Sequence, residues 1–414
     1  DYANAKVELA KVINSGKYEL WDKTATMGPS SYGTNMQLAK SQNENWSDGS
    51  EEYEYLTLYR AEADFCDEFL LELDIDGDMT TITSTEPYWF RAYMNWRKDE
   101  VNLPGNTTTA SDGWGFINPT RTFGYAFAKH DGNSVRRRAA IATYSEVYHD
   151  FPYLNKDVRG VMSSMLFENE GYFRMKYYDY VDDVVPERFA SGQTNGNRTN
   201  FPLMRYADVL LLYAEAVCMS GEGTANISGL EALNKVRRRA GLTDAPALDM
   251  DNAEYGIKAE RRFELWLEDC SRYVDLIRWG DYKKFITDTS IDGVSEHWGN
   301  ECAWLVGLKD ATKRTTDPTD WSNYEVRYDP LSTRGTWSDR FYLWPFPYAE
   351  TTQNPNLDQN TRGGMIIRRR RWIVFVSLRR RRDFFRPGRP DRPASAGCRP
   401  SRACGRAVPD DRRR

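Results

Sequence analysis

LMRYADVLLLYAEAVCMSGEG at 203–223 is the stretch on which the fold turns. Tyr206, Val209, Leu210, Tyr213 and Val217 recur at helical spacing on one face, and Ala207, Leu211, Ala214 and Cys218 form a second apolar face. Arg205, Asp208 and Glu215 leave only a narrow polar stripe, so the spacing predicts a helix buried on most sides. Two further helical stretches follow, NISGLEALNKVRRRAGL at 226–242 and IKAERRFELWLEDCSRYVDLIRWG at 257–280. Ser228 and Glu231 stand at capping-box spacing: the hydroxyl accepts from the N3 amide and the carboxylate reaches back to the Ser228 amide, a cap worth about 1 kcal/mol. Gly241 occupies the position after the helix where positive φ is wanted.

The third stretch reads as one continuous helix. Ala259, Phe263, Trp266, Cys270, Val274 and Ile277 share one side, and Arg261, Glu264, Glu268, Arg272 and Asp275 share the other. Two readings of that charged stripe stay open. If it is exposed, a pair such as Glu268 and Arg272 adds about 0.3–0.5 kcal/mol. If it is covered, removing one partner costs about 3–5 kcal/mol.

At these residues the chain resembles the SusD/RagB family. The matching runs are RYADVLLLYAEA at 205–216, NKVRRRAG at 234–241 and ERRFELWLEDCSRYVDLIRWG at 260–280. YLWPFPYAETTQNPNLDQN at 342–360 resembles the family's closing motif, with departures at Phe346 and Tyr348. The resemblance covers roughly residues 1–360. It implies a mainly α fold: a SusD-like scaffold of tetratricopeptide-like helix pairs, with long loops and a few short strands. It also implies an outer-membrane, cell-surface nutrient-binding lipoprotein that works beside a SusC-like TonB-dependent transporter. Because members are exported and lipid-anchored, and DYANAKVELAKVINSGKYEL resembles a segment lying well inside relatives, the chain is read as a fragment without its leader, anchor and first helices.

Composition divides the chain in two. Residues 363–414 hold 17 Arg and no Lys against 4 Asp, leaving 39 basic and 57 acidic residues in 1–362. An acidic body argues against nucleic-acid binding. The Arg- and Pro-rich segment 361–414 reads as a disordered or non-native tail, because it has too little apolar surface to bury; an arginine-rich nucleic-acid or anionic-lipid tail is the alternative. Six cysteines show no CxxC or regular spacing. The apolar run Trp372–Val376 is too short to span a bilayer.

Residues 2–14 read as a helix stopped by Ser15 and Gly16, and 21–52 as long loops. FLLELDI reads as a strand, with 80–85 as its return. PTRTFGYAF followed by RRRAAIATY resembles the family's short helix and descending strand, EGYFRMKYYDY reads as a strand, and 287–340 reads as a long loop region.

Enzyme motifs are missing: there is no HExxH, GxSxG or Walker A loop. His130, His149 and His297 are isolated in sequence, which gives a metal site or catalytic triad little to build on. Glu264 and Glu268 read as structural ion pairs rather than a catalytic pair. Asp74, Asp76 and Asp78 around Gly77 read as a solvated turn, with calcium as the alternative. No catalytic residue, metal ligand or cofactor is assigned.

Aromatic content is 14%, much of it in polar loops. A pyranose presents a flat C–H face that lies on indole or phenol, while its hydroxyls need polar partners. Tyr88, Trp89, Tyr93, Trp96, Arg97, Asp99 and Trp114 supply both kinds of group and form the candidate ligand surface; Arg91 and Asn95 lie in the same loop. The expected function is therefore capture of oligosaccharide or polysaccharide and its delivery to the transporter, without turnover. The alternatives are a peptide or other nutrient as ligand, or a protein-interaction scaffold or lid with little ligand affinity.

Overall fold

A computed structural model describes residues 1–27, 53–74, 117–150, 170–177, 199–268, 271–287 and 302–329, all within the unit Asp1–Gly364. The expected tail at 361–414 lies outside the described residues. The described part is helix-rich, as expected, with short strands paired two by two.

Three helices build the central packing unit: α1 (Tyr2–Asn14), α5 (Tyr206–Ser220) and α6 (Gly229–Arg239). Asp1 caps α1 by accepting from the Asn4 amide at 3.3 Å. Lys6, on α1, donates to the carbonyls of Ser220, Gly221 and Glu222 at 2.8–3.1 Å, satisfying groups that the end of α5 leaves without helical partners. Both apolar faces of α5 are used: Val209, Leu210, Leu211, Tyr213 and Ala214 are all fully buried, packed against Ile13, Leu233 and Val236. Burial of this kind contributes about 1.5–3 kcal/mol per large apolar side chain.

The ends of α6 follow the sequence reading with one correction. Ser228 Oγ accepts from the Glu231 amide at 3.1 Å. The Glu231 carboxylate does not complete the box, because both its oxygens accept from Arg238, at 3.0 and 2.6 Å. At the far end Gly241 takes φ +84°, and the amides of Leu242 and Gly241 close onto the carbonyls of Arg237 and Arg238.

The predicted helix over 257–280 is two helices, α7 (Ile257–Glu264) and α8 (Ser271–Trp279), followed by α9 (Tyr282–Thr287). Leu267 adopts φ +62° between the first two, a left-handed conformation costing about 1–2 kcal/mol. The cause is tertiary. Lys176 donates to the carbonyls of Glu264 and Trp266, and Arg205 also donates to the Glu264 carbonyl. Buried cations take the place of the next helical amides. Val274, expected on the apolar side, is more than half exposed.

Around these helices lie α2 (Arg121–Asp131), α3 (Val135–Ala140) and α4 (Tyr144–Asp150), with the antiparallel pairs β1 (Thr24–Met27) with β2 (Tyr53–Leu56), β3 (Phe69–Leu73) with β6 (Phe201–Arg205), β4 (Ile141–Thr143) with β5 (Tyr172–Arg174), and β7 (Cys302–Leu308) with β8 (Tyr324–Asp329). Three readings are thereby corrected. Strand β1 lies in the segment read as loop, β7 and β8 lie in another such segment, and Leu203–Arg205, read as helix, ends strand β6. The proposed return at 80–85 lies outside the described residues. Gly124 on α2 sits against the Tyr172 ring, where a Cβ would come within 2.2 Å of the ring carbons.

Candidate functional site

Tyr88, Trp89, Tyr93, Trp96, Arg97, Asp99 and Trp114 all lie outside the described residues, as do Asp76 and Asp78. Two features stand out in what is described: a buried lattice of charges and an open cleft beside it.

The lattice joins segments far apart in the chain. Arg205, at the end of β6, donates to Glu268 at 2.6 and 2.9 Å and also pairs with Glu68 and Glu264. Arg239, at the end of α6, bridges Glu68 and Glu264. Arg136 on α3 holds Asp131 through two bonds of 2.8 Å and reaches Glu260 at 2.8 Å and Glu264 at 3.3 Å. Lys176 donates to Glu268 at 2.6 Å, and Tyr59 donates to the same carboxylate at 2.9 Å. All these charged side chains are buried.

The electrostatics follow from that enclosure. Burial works against the charge on Glu264, and Arg239, Arg205 and Arg136 overcome it, holding the carboxyl well below its usual range. Glu268 is lowered in the same way: burial opposes its charge, and Arg205 and Lys176 win. Burial brings Lys176 down to about 8 despite Glu268. Carboxylates clamped by two or more cations hold the scaffold together, which is the ion-paired role expected of Glu264 and Glu268. His130, isolated in sequence, is not isolated in space: its Nδ1 lies 2.6 Å from Asp131 and its Nε2 lies 3.5 Å from Glu260. No group of three His, Cys, Asp or Glu among the described residues is arranged to hold a metal ion.

The cleft, of about 820 Å³, opens where α2, the connection after α6, and α7, α8 and α9 meet. Its wall carries six cations, Lys129, Arg237, Lys258, Arg262, Arg272 and Lys284, against four carboxylates, Asp244, Asp251, Glu254 and Asp281. Two of the carboxylates are spent on Lys258, which donates to Asp251 at 2.7 Å and Asp281 at 2.6 Å. Asp244 accepts from Arg238 at 2.8 Å. Arg262 and Arg272 both lie against the Phe285 ring, 5.0 Å and 4.7 Å from its centre. Trp279, also on the wall, donates its indole N–H to Glu215 at 3.0 Å. None of these cleft residues is among the predicted site residues. The available signal was the alternation of basic and aromatic residues from Lys258 to Phe285, which reads equally well as an amphipathic helix.

A family model described as the SusD family matches residues 67–363, most of the chain. The chain belongs to the SusD family. A SusD-like protein of Bacteroides ovatus is 28% identical over 166 residues, which is 39% of this chain and 29% of that protein. Among solved structures, a surface glycan-binding protein A from Bacteroides fluxus is 23% identical with a TM-score of 0.44, covering 70% of this chain and 50% of the other. A SusD-like protein from Bacteroides fragilis is 20% identical with a TM-score of 0.49, over 87% of this chain and 64% of the other. A surface glycan-binding protein A from Bacteroides thetaiotaomicron, solved in complex with laminarihexaose, is 18% identical with a TM-score of 0.46, over 87% and 59%. The SusD-family chain thus spans less than two thirds of the length of each. Its signature runs at 205–216, 234–241 and 260–280 supply the ends and faces of α5, α6, α7 and α8, and four of their arginines, Arg205, Arg237, Arg239 and Arg261, are buried in ion pairs.

Proposed function

We propose that this protein is a cell-surface binder of oligosaccharides that hands its ligand to a TonB-dependent outer-membrane transporter and performs no turnover. Membership of the SusD family over residues 67–363 carries this reading. The composition of residues 88–114, where indole and phenol rings alternate with Arg, Asn and Asp, supports it, because stacking and hydroxyl recognition need both. The described scaffold adds a mechanical reason. Its buried ion pairs fix the described helices against one another, and a rigid support lowers the ordering cost of binding. No helix among the described residues is long and apolar enough to cross a membrane.

Calorimetric titration against a panel of neutral polysaccharides and oligosaccharides, laminarihexaose included, tests the reading. Binding to at least one glycan is expected, weakened about tenfold or more by Trp89→Ala or Trp96→Ala, in line with the energy carried by a single aromatic anchor. An empty panel overturns the glycan reading, unchanged affinity in both variants overturns the site, and release of reducing sugar overturns the claim of binding without turnover.

A further inference from the structure

We propose that the cleft between α2 and α7–α9 is a second ligand site, and that it takes a sugar ring bearing a carboxylate or a sulfate. The choice of a sugar rests on the glycan-capture reading; the choice of an anionic one rests on the cleft alone.

Four observations carry it. The first is size: about 820 Å³ falls within the range of about 300–1,000 Å³ typical of small-ligand pockets, and suits a short oligosaccharide better than an extended protein surface. The second is charge. In a body with 57 acidic and 39 basic residues, this wall is cationic, six to four. Three of its four carboxylates are engaged by Lys258 and Arg238, and of its six cations Lys258 is spent on Asp251 and Asp281 and Arg237 on the buried Glu260. Lys129 on α2 and Lys284 on α9 are exposed and make no ion pair among the described residues. They stand at the wall from separate elements, against one unengaged carboxylate, Glu254.

The third is the presence of flat apolar surface beside those charges. Trp279 and Phe285 line the same space, each packed against two cations, Lys258 and Arg278 at Trp279 and Arg262 and Arg272 at Phe285. A pyranose lies on such a face while its acidic substituent meets an ammonium group. The fourth is a buried polar atom on the wall. His130 keeps Nε2 without a hydrogen-bond partner, the Glu260 carboxylate being 3.5 Å away. Asp251 and Asp281, accepting from Lys258 on one oxygen each, have lone pairs left for sugar hydroxyls.

The test uses the whole chain and three probes by calorimetry: an oligogalacturonate, a sulfated galactose oligomer and a neutral oligosaccharide. The charged probes separate carboxylate from sulfate as the preferred group. The variant is the double substitution Lys129→Glu with Lys284→Glu, at two exposed positions outside the core; its unfolding transition is measured first. Binding of one or both charged probes, weakened by added salt and about tenfold or more by the double substitution, is the expected result. Neutral-glycan binding should survive the double substitution and fall with Trp89→Ala. If neutral glycans bind through the loop but neither charged probe binds, the cleft proposal fails and the glycan reading stands. If no sugar binds at all, both fall. Equal affinity for the charged probes in the double variant overturns the cleft assignment.

Discussion

The packing of α5 against α1 and α6 and the joint between α7 and α8 are neighbours in the fold, yet they are held by opposite means. Around α5 the contacts are Leu, Val, Ile, Ala and Tyr side chains, with Val209, Leu210, Leu211 and Tyr213 fully buried in the helix centre. At the α7–α8 joint the contacts are Arg205, Lys176, Glu264 and Glu268, and the backbone leaves the helix to make them. Apolar packing tolerates loss in proportion to volume. A closed set of buried charges does not, because each partner removed leaves another charge in low dielectric with nothing opposite it.

That contrast sets the largest expected effect. Arg205→Ala strips a cation from Glu68, Glu264 and Glu268 together and should lower unfolding free energy by about 3–5 kcal/mol. Leu210→Ala, at the centre of the apolar unit, should lower it by about 3 kcal/mol through a cavity. Urea titration of both variants checks the order. Equal losses would mean that the lattice is loosely coupled, and that the two regions differ less than their chemistry implies.

Acid separates the regions more sharply. Glu264, Glu268, Asp131 and Glu146 are each pushed up by burial but pulled further down by neighbouring guanidinium groups, so their carboxyls sit below the ordinary range. The folded state therefore binds fewer protons than the unfolded chain near about pH 4. The stability these groups contribute is complete above that range and is lost as pH falls through the folded values. The Arg205→Ala deficit should shrink between pH 7 and about pH 4, because protonation relieves the carboxylates that the variant leaves unpaired. The Leu210→Ala deficit should stay constant. A parallel fall of both variants across that window would show that the lattice is not the acid-sensitive part.

The same contrast explains what could be read in advance. Helix α5 repeats its apolar positions over four turns, and α6 carries its own stop at Gly241, so both were legible from neighbours a few residues away. The break after Glu264 was not. Its cause, Lys176 just after strand β5 and Arg205 on β6, arrives from elsewhere in the chain, and a periodicity argument sees only an unbroken amphipathic stripe. The strands β1, β7 and β8 were missed because each partner lies outside the local window. The cleft was missed for a related reason: Lys129, Lys258 and Phe285 belong to three helices, and nothing in their spacing brings them together. The aromatic loop at 88–114 was singled out by composition alone, which identifies a chemistry without giving positions.

A smaller effect tests the capped end of α6. Ser228→Ala removes the oxygen that accepts from the Glu231 amide, leaving an orphan donor at an exposed helix start. The expected loss is about 1 kcal/mol at any pH between 5 and 8, since no titrating group is involved. A loss as large as that of Arg205→Ala would place this helix end inside the cooperative lattice rather than beside it.

The smallest effect decides between two roles for Glu231. In a capping box, glutamine serves as well as glutamate, so Glu231→Gln would be neutral and indifferent to salt. In the structure both carboxylate oxygens accept from Arg238, and the two side chains are 38% and 46% exposed. An exposed pair contributes at most about 1 kcal/mol and is screened by added ions. Glu231→Gln should therefore lose about 0.5 kcal/mol at low ionic strength, and the difference should vanish near about 1 M salt, where the screening length is only about 3 Å. The buried pairs at Arg205 lie beyond the reach of that screening, so the Arg205→Ala deficit should persist in the same buffer. If salt erased both deficits alike, burial would not be what distinguishes the lattice from the helix surface.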